Sequence, residues 1–344
     1  MKQQLAVILA IGLLLLSSIT FIPVSSEEPM IIAMGTTYYV DDDNTEGPWD
    51  GTIAHQYRYI EGAIDAAVDG DTVYVYSGTY YNGISIFIDK RINLIGEDRD
   101  EVIIDGGGNF PTGIVVKNVE NVYISNFTLI NCTTSTTKLY QDMIWGAFFV
   151  TNSNYTTISN CCISNSRTSL FVADSSDIMI SNCEFSDAEM GLYILNYSSW
   201  WWSNPQLIKN TRISNCIFND VGISELYLDN ATITNCTIVG NLSRDDASGI
   251  WIDDCDVNNC IIWDNIIWDD DGDVNQVYPA GGWDVFDCCI EGGWPSTNPY
   301  HNPPIIDVNP LFADSGYWDD NGTPEDRSDD IWIQGDYHLK SVVG

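Results

Sequence analysis

Ile178-Met179-Ile180-Ser181-Asn182-Cys183-Glu184-Phe185 decides the fold, because its central phrase, Ile-Ser-Asn-Cys, returns along the chain. Ile158-Ser159-Asn160-Cys161 precedes it, and Ile213-Ser214-Asn215-Cys216 follows. Ile233-Thr234-Asn235-Cys236 and Val257-Asn258-Asn259-Cys260 are variants, with looser copies at Asn126-Phe127 and Asp287-Cys288. From Asn126 through Asn160, Asn182, Asn215, Asn235 and Asn259 to Asp287, the steps are 34, 22, 33, 20, 24 and 28 residues. Such a period, with occasional insertions, marks a solenoid built from one supersecondary unit. Within each copy apolar and polar residues alternate, the pattern of a strand with one buried face. The Asn falls between two strand pieces, where its side chain tolerates an unusual backbone and bonds neighbouring main chain.

A second strand precedes each copy by about ten residues, a spacing read along the helical repeat. Its members are Gly146-Ala147-Phe148-Phe149, Ser169-Leu170-Phe171-Val172, Gly191-Leu192-Tyr193-Ile194, Glu225-Leu226-Tyr227-Leu228 and Gly249-Ile250-Trp251-Ile252. Coils holding two or three short strands and sharp corners predict a parallel β-helix, each coil stacking on the last at roughly 4.8 Å. A leucine-rich solenoid has a similar period, but its Leu-x-x-Leu-x-Leu frame is absent.

The N-terminal region opens with Ile60-Glu61-Gly62-Ala63-Ile64-Asp65-Ala66-Ala67 and Gly70-Asp71-Thr72-Val73-Tyr74-Val75. Gly78-Thr79-Tyr80-Tyr81, Ile92-Asn93-Leu94-Ile95-Gly96-Glu97 and Val102-Ile103-Ile104-Asp105-Gly106 come next. From about Thr37 to Gly293 the chain resembles the right-handed parallel β-helix proteins of the pectin-lyase-like superfamily. The resemblance implies an all-β, right-handed parallel β-helix solenoid with a short N-terminal capping helix near Tyr57 to Val68. It leaves function open, since that superfamily holds lyases, hydrolases, esterases, adhesins and surface-layer components.

Lys2, the apolar run Leu5 to Leu16 and the small residues Val24-Ser25-Ser26 have the layout of a signal peptide over residues 1–26. An uncleaved anchor is the alternative, and either places the remainder outside the cytoplasm, extracellular or at the cell surface. Residues 36–115 are expected to form the cap and first coils, and 116–293 the repeats. Residues 294–344 are Asp- and Pro-rich. Their closing phrase, Gly335-Asp336-Tyr337-His338-Leu339-Lys340-Ser341, looks like the start of a closing segment of exported β-helix proteins that breaks off here.

The formal charge is -36, from 49 acids and 13 bases. That surface repels nucleic acid and acidic lipid headgroups, so neither a nucleic acid nor a membrane beyond the signal segment is expected as a partner. It admits a polyanionic sugar only through a bridging cation, and Ca²⁺ is the one cofactor the corner Asp clusters suggest. A salt-adapted surface explains the same composition.

Of ten cysteines, Cys161, Cys183, Cys216, Cys236, Cys260 and Cys288 share the inward parity of the flanking Ile. They are expected to stack as a buried ladder, acting as small hydrophobes whose parallel Cβ vectors suit disulfides poorly. Cys132, Cys162, Cys255 and Cys289 fall outside it and are the better candidates for bridges. Without Cys-x-x-Cys and with three His, no metal site is expected.

By parity, Phe148, Phe171, Tyr193, Tyr227 and Trp251 point outward on consecutive coils and make an apolar stripe suited to sugar rings. Insertions at about Thr133 to Met143 and Ser198 to Lys209 flank it. The second carries Trp200-Trp201-Trp202, which either walls a groove or folds down to cover the stripe. Asp229 and Asp253 have the same outward parity on adjacent coils, and Asp254 stands at the next corner. Close carboxylates serve as general acid and base or hold Ca²⁺. Three readings follow: an exported module binding a polysaccharide or cell-surface glycan through the stripe, a polysaccharide lyase or glycoside hydrolase using Asp229, Asp253 and Asp254, or a passive surface-layer spacer. The superfamily's Gly-His-Gly and Gly-x-x-Asp-Phe-Ile-Phe-Gly patterns are both missing.

Overall fold

A computed structural model describes residues 35–81, 85–108, 113–133, 146–195, 210–224, 226–243, 249–267, 276–279, 283–293, 305–322 and 331–340. Three parallel sheets run along its length. The first carries the Ile-Ser-Asn-Cys strands. It begins with Thr37–Val40, Thr72–Val75 and Asn93–Gly96, continues through Thr157–Ser159 and Met179–Ser181, and ends at Trp283–Phe286. The second starts at Gly78–Tyr80 and includes Cys162–Ser164, Glu184–Phe185, Ile217–Asn219, Thr237–Val239 and Ile261–Trp263 before ending at Cys289–Ile290. The third holds Ile86–Ile88, Ile114–Lys117, Phe148–Thr151, Ser166–Ala173 and Ala188–Leu195, then paired shorter strands such as Leu242–Ser243 and Ile250–Asp253. From Thr72–Val75 onward the described strands visit the three walls in turn, and like positions stack.

The phrase acquires a physical explanation at the corner between the first and second sheets. Asn126, Asn160, Asn182, Asn215, Asn235 and Asn259 all take the left-handed backbone, with φ between 50° and 65°. Asn carries that conformation at less cost than other non-glycine residues. The amides then link coil to coil: Asn160 donates to Asn126 Oδ1 at 2.9 Å, Asn235 to Asn215 at 3.2 Å and Asn259 to Asn235 at 2.7 Å. The turn also brings each following thiol back on the carbonyl two residues earlier. Cys183 Sγ donates to Ser181 O at 3.3 Å, Cys216 to Ser214 O at 3.2 Å and Cys236 to Thr234 O at 3.3 Å. Cys thus fills the interior and closes the corner in one step.

All ten cysteines are unbridged. The six ladder thiols line the core as expected. The expected bridges among the other four do not form: Cys132 and Cys255 are themselves core residues, while Cys162 and Cys289 lie half-buried on the second sheet. Stacked strands hold neighbouring thiols in the wrong orientation for pairing.

At the N-terminal end a short helix, α1 (Ile60–Ala66), lays Ile60, Ala63 and Ile64 over the first coils. Lys90 Nζ donates to the carbonyls of Ile64, Asp65 and Ala67 at 2.9, 2.9 and 3.0 Å. A cation there complements the negative helix C-terminus.

The C-terminal segment folds back on the outer side of the second sheet. Phe312–Asp314 pairs antiparallel with Asp336–Leu339, and Tyr317–Asp319 with Ile331–Ile333. Phe312 and Trp332 pack there on Val239 and Trp263. Gly240, at φ 62°, is where the indole comes closest: a Cβ at this position would stand 2.1 Å from Trp332 Cε2. Trp318 Nε1 donates to Asp264 O at 3.3 Å, and Gln334 Nε2 to Glu184 Oε1 at 3.0 Å.

Candidate functional site

The third sheet positions the aromatic column. Its register runs without a slip from Phe87 to Val115, Phe149, Phe171 and Tyr193. Tyr193 pairs with Tyr227, Tyr227 with Trp251, and Trp251 with Tyr278. Eight coils in succession thus place one residue at the same register position, seven of them aromatic. Ring centroids of Phe149 and Phe171 are 5.5 Å apart, and those of Phe171 and Tyr193 6.3 Å, both pairs 15° from parallel.

One expected member of the stripe is corrected. Phe148 pairs with Leu170, is 0% exposed and belongs to the interior core; Phe149, one residue on, occupies the column. The left-handed corner residue is the reliable ruler here. Val115, Phe149, Phe171, Tyr227 and Trp251 each lie three residues before Asn118, Asn152, Asp174, Asn230 or Asp254, all of positive φ. Aligning Gly146 with Ser169 shifts that strand by one place, and a one-residue slip inverts every side chain.

The column is not uniformly open. Phe87 is 55% exposed, whereas Phe149 and Phe171 are 6% and 2% exposed although they point away from the interior. With Val115 and Ala173 they form a second, smaller apolar core, against which Tyr193 packs. Tyr193 and Trp251 are half-buried. The central rings are therefore structural, and the accessible aromatic surface lies towards Tyr193 and Trp251 at one end and Phe87 at the other. Trp200, Trp201 and Trp202 lie outside the described residues.

Asp229 and Asp253 are register partners on adjacent coils, two places beyond Tyr227 and Trp251 along their strands. Asp254 is exposed at the corner that follows, with φ 50°. Among the described residues, no three His, Cys, Asp or Glu side chains gather into a metal-binding group. His55 and His338 pair instead with exposed Asp50 and Asp336, away from the coils' walls.

Residues 145–296 match the family model described as the right handed beta helix region. The fold is a right-handed parallel β-helix. The matched stretch holds the aromatic column from Phe149 to Tyr278. No curated protein matches the sequence. Among solved structures, the β-helix is similar to PfbA, a surface adhesin of Streptococcus pneumoniae, at 15% identity over 78% of this chain and 82% of that one, TM-score 0.47. It is similar to the pectin methylesterase PemA from Erwinia chrysanthemi at 12% identity over 88% and 86%, TM-score 0.41. It is also similar to an alginate lyase from Paenibacillus sp. str. FPU-7 at 10% identity over 72% and 95%, TM-score 0.41.

Proposed function

We propose that this chain is an exported cell-surface protein that binds a polysaccharide or cell-surface glycan along the third sheet of its β-helix. The observation that carries the proposal is the unbroken register from Phe87 to Tyr278. At its accessible end that register sets Tyr193, Tyr227 and Trp251 one above another at the strand spacing of roughly 4.8 Å, and an apolar strip on a protein surface serves binding. Sugar rings offer matching apolar C–H faces, while their hydroxyl edges find acceptors in Asp229, Asp253 and Asp254 at the strip's margin. The working segment is Tyr193–Trp251, with the Trp200–Trp202 insertion proposed as its wall.

The register pairing of Asp229 with Asp253 supports a second reading, in which the same face hydrolyses or eliminates across a glycosidic bond. Register partners on adjacent coils have backbones roughly 4.8 Å apart, close to the separation of about 5 Å that a retaining glycosidase uses. Ca²⁺ enters either reading as the ion that bridges this acidic face to an acidic sugar.

A glycan panel probed with the full chain, with and without Ca²⁺, tests the proposal. Retention of particular glycans without release of product supports binding. Release of sugar from the same glycans supports the second reading. Silence on both counts leaves the β-helix as a structural spacer and rejects the proposal.

A further inference from the structure

A different wall carries a second candidate site. On the outer side of the first sheet, Tyr39 pairs in register with Tyr74, and Tyr74 with Ile95. One level further along, Tyr76 N donates to Val40 O at 2.9 Å and Glu97 N to Val75 O at 2.8 Å. The ladder thereby aligns Asp41, Tyr76 and Glu97 across three coils. Tyr76 accordingly has a carboxylate residue on either side and two more tyrosines against it. Ring centroids are 5.4 Å apart for Tyr74–Tyr76, 5.9 Å for Tyr39–Tyr74 and 6.0 Å for Tyr39–Tyr76. The first pair meets at 80°, and the last is 19° from parallel. All three rings are half-buried and uncapped by either hydrophobic cluster.

We propose that Tyr39, Tyr74 and Tyr76, flanked by Asp41 and Glu97, form a platform that binds alkylammonium groups. A cation within about 6 Å of a ring centroid is attracted by the negative face of the ring. With centroids this close, one cation reaches more than one ring at once. The carboxylates add the matching charge. Glu97 is held in place by Ser77, whose N–H and Oγ both donate to Oε2 at 3.0 Å. Among the described residues neither Asp41 nor Glu97 is paired with a cation; Arg91 pairs with Asp69, Arg99 with Asp100 and Arg167 with Glu189, and Arg58 lies over the ring of Tyr59. Partial burial, and then the charge of Glu97, raise the phenol of Tyr74 above its ordinary value; Tyr76 is raised by burial first, with Tyr39, Glu97 and Asp41 adding to it. The same negative potential favours a bound cation. A methylated ammonium fits better than a bare one, because it is less strongly hydrated and has methyl groups to rest on the rings. The site shares no residue with the aromatic column, so neither proposal depends on the other.

The test is a titration of the full chain with tetramethylammonium chloride, read from the tyrosine ring signals by NMR. Its uncharged counterpart, 2,2-dimethylpropan-1-ol, is titrated in parallel. The expected result is saturable binding of the cation alone, with an affinity on the order of millimolar. Glu97→Gln is expected to weaken it about fivefold and Tyr76→Ala to abolish it, while Tyr76→Phe, which keeps the ring, retains it. Equal binding of the alcohol, indifference to Glu97→Gln in the folded variant, or no saturable shift would overturn the proposal.

Discussion

Phe149 lies over Phe171 on the outer side of the third sheet, with centroids 5.5 Å apart and ring planes 15° from parallel. Both residues turn away from the interior, yet 6% and 2% exposure makes them a core in their own right. The column thus divides into a buried middle that stabilises the wall and an accessible part around Tyr193 and Trp251. Substitution separates the two. Phe171→Ala is expected to cost about 3 kcal/mol, because a large buried ring leaves a cavity. Phe87→Ala, at 55% exposure, is expected to stay within about 0.5 kcal/mol of the parent. Urea unfolding midpoints at constant slope measure both.

Asn215 tests the corner. Its φ of 53° penalises any residue with an ordinary side chain, and its amide donates to Asn182 Oδ1 at 3.3 Å. Asn215→Ala combines a left-handed penalty of about 1–2 kcal/mol with the loss of a hydrogen bond worth about 1 kcal/mol. Asn215→Gly removes only the second. The expected order of melting temperature is parent, then Gly, then Ala.

The thiols should be silent. Buried Cys161, Cys183, Cys216, Cys236, Cys260 and Cys288 donate to carbonyls at the corners, and burial raises the Cys132 thiol to about 12. Thiolate is the reactive form. A chromogenic disulfide reagent is expected to leave these seven and the buried Cys255 unmodified in the folded chain, with Cys162 and Cys289 reacting slowly. Denaturant should release all ten, and a reductant should leave the melting temperature unchanged, since no bridge is present.

Stability should fall as pH rises between about 4 and 6. Burial, and then the charge of Asp187, raise the Asp220 carboxyl to about 6; burial, and then Glu291, do the same for Asp264. A carboxyl whose folded pKa exceeds its unfolded one binds more protons in the folded state across that interval. The stabilisation is complete below the unfolded value near 4 and is lost by the time the pH passes the folded value. Asp220→Asn is expected to flatten the slope of melting temperature against pH between 4 and 7. The general repulsion of a chain at -36 remains in that variant, which isolates the local effect.

Period, alternation and inward parity were enough to read stacked coils of two or three strands and a thiol ladder from residue types, while the capping helix came from the family resemblance. They worked because every coil repeats the same constraint: Ile must point in, and the corner must be left-handed. Phe148 shows where alternation fails. Two adjacent Phe satisfy either register equally, and only the distance to Asn152 chooses between them. Phe87, Val115 and Tyr278 were invisible for a related reason, since their coils lack a full Ile-Ser-Asn-Cys phrase to align against. Asn235 at its corner is exposed, and its amide nitrogen is committed to Asn215 on the neighbouring coil. The burial of Phe149 and Phe171, and the return of Trp332 over Gly240, are tertiary events that no local pattern announces.

The central claim is that the accessible end of the aromatic column binds sugar. Its most direct measurement is the affinity of the full chain for the strongest glycan on a broad panel, compared between Trp251→Ala and Asp253→Asn. Loss of an aromatic platform worth about 1–1.5 kcal/mol is expected to weaken binding by about tenfold in Trp251→Ala. Asp253→Asn should bind nearly as the parent does, with no reducing ends released by any form. Undiminished binding by a folded Trp251→Ala variant, or sugar release that Asp253→Asn abolishes, would contradict it.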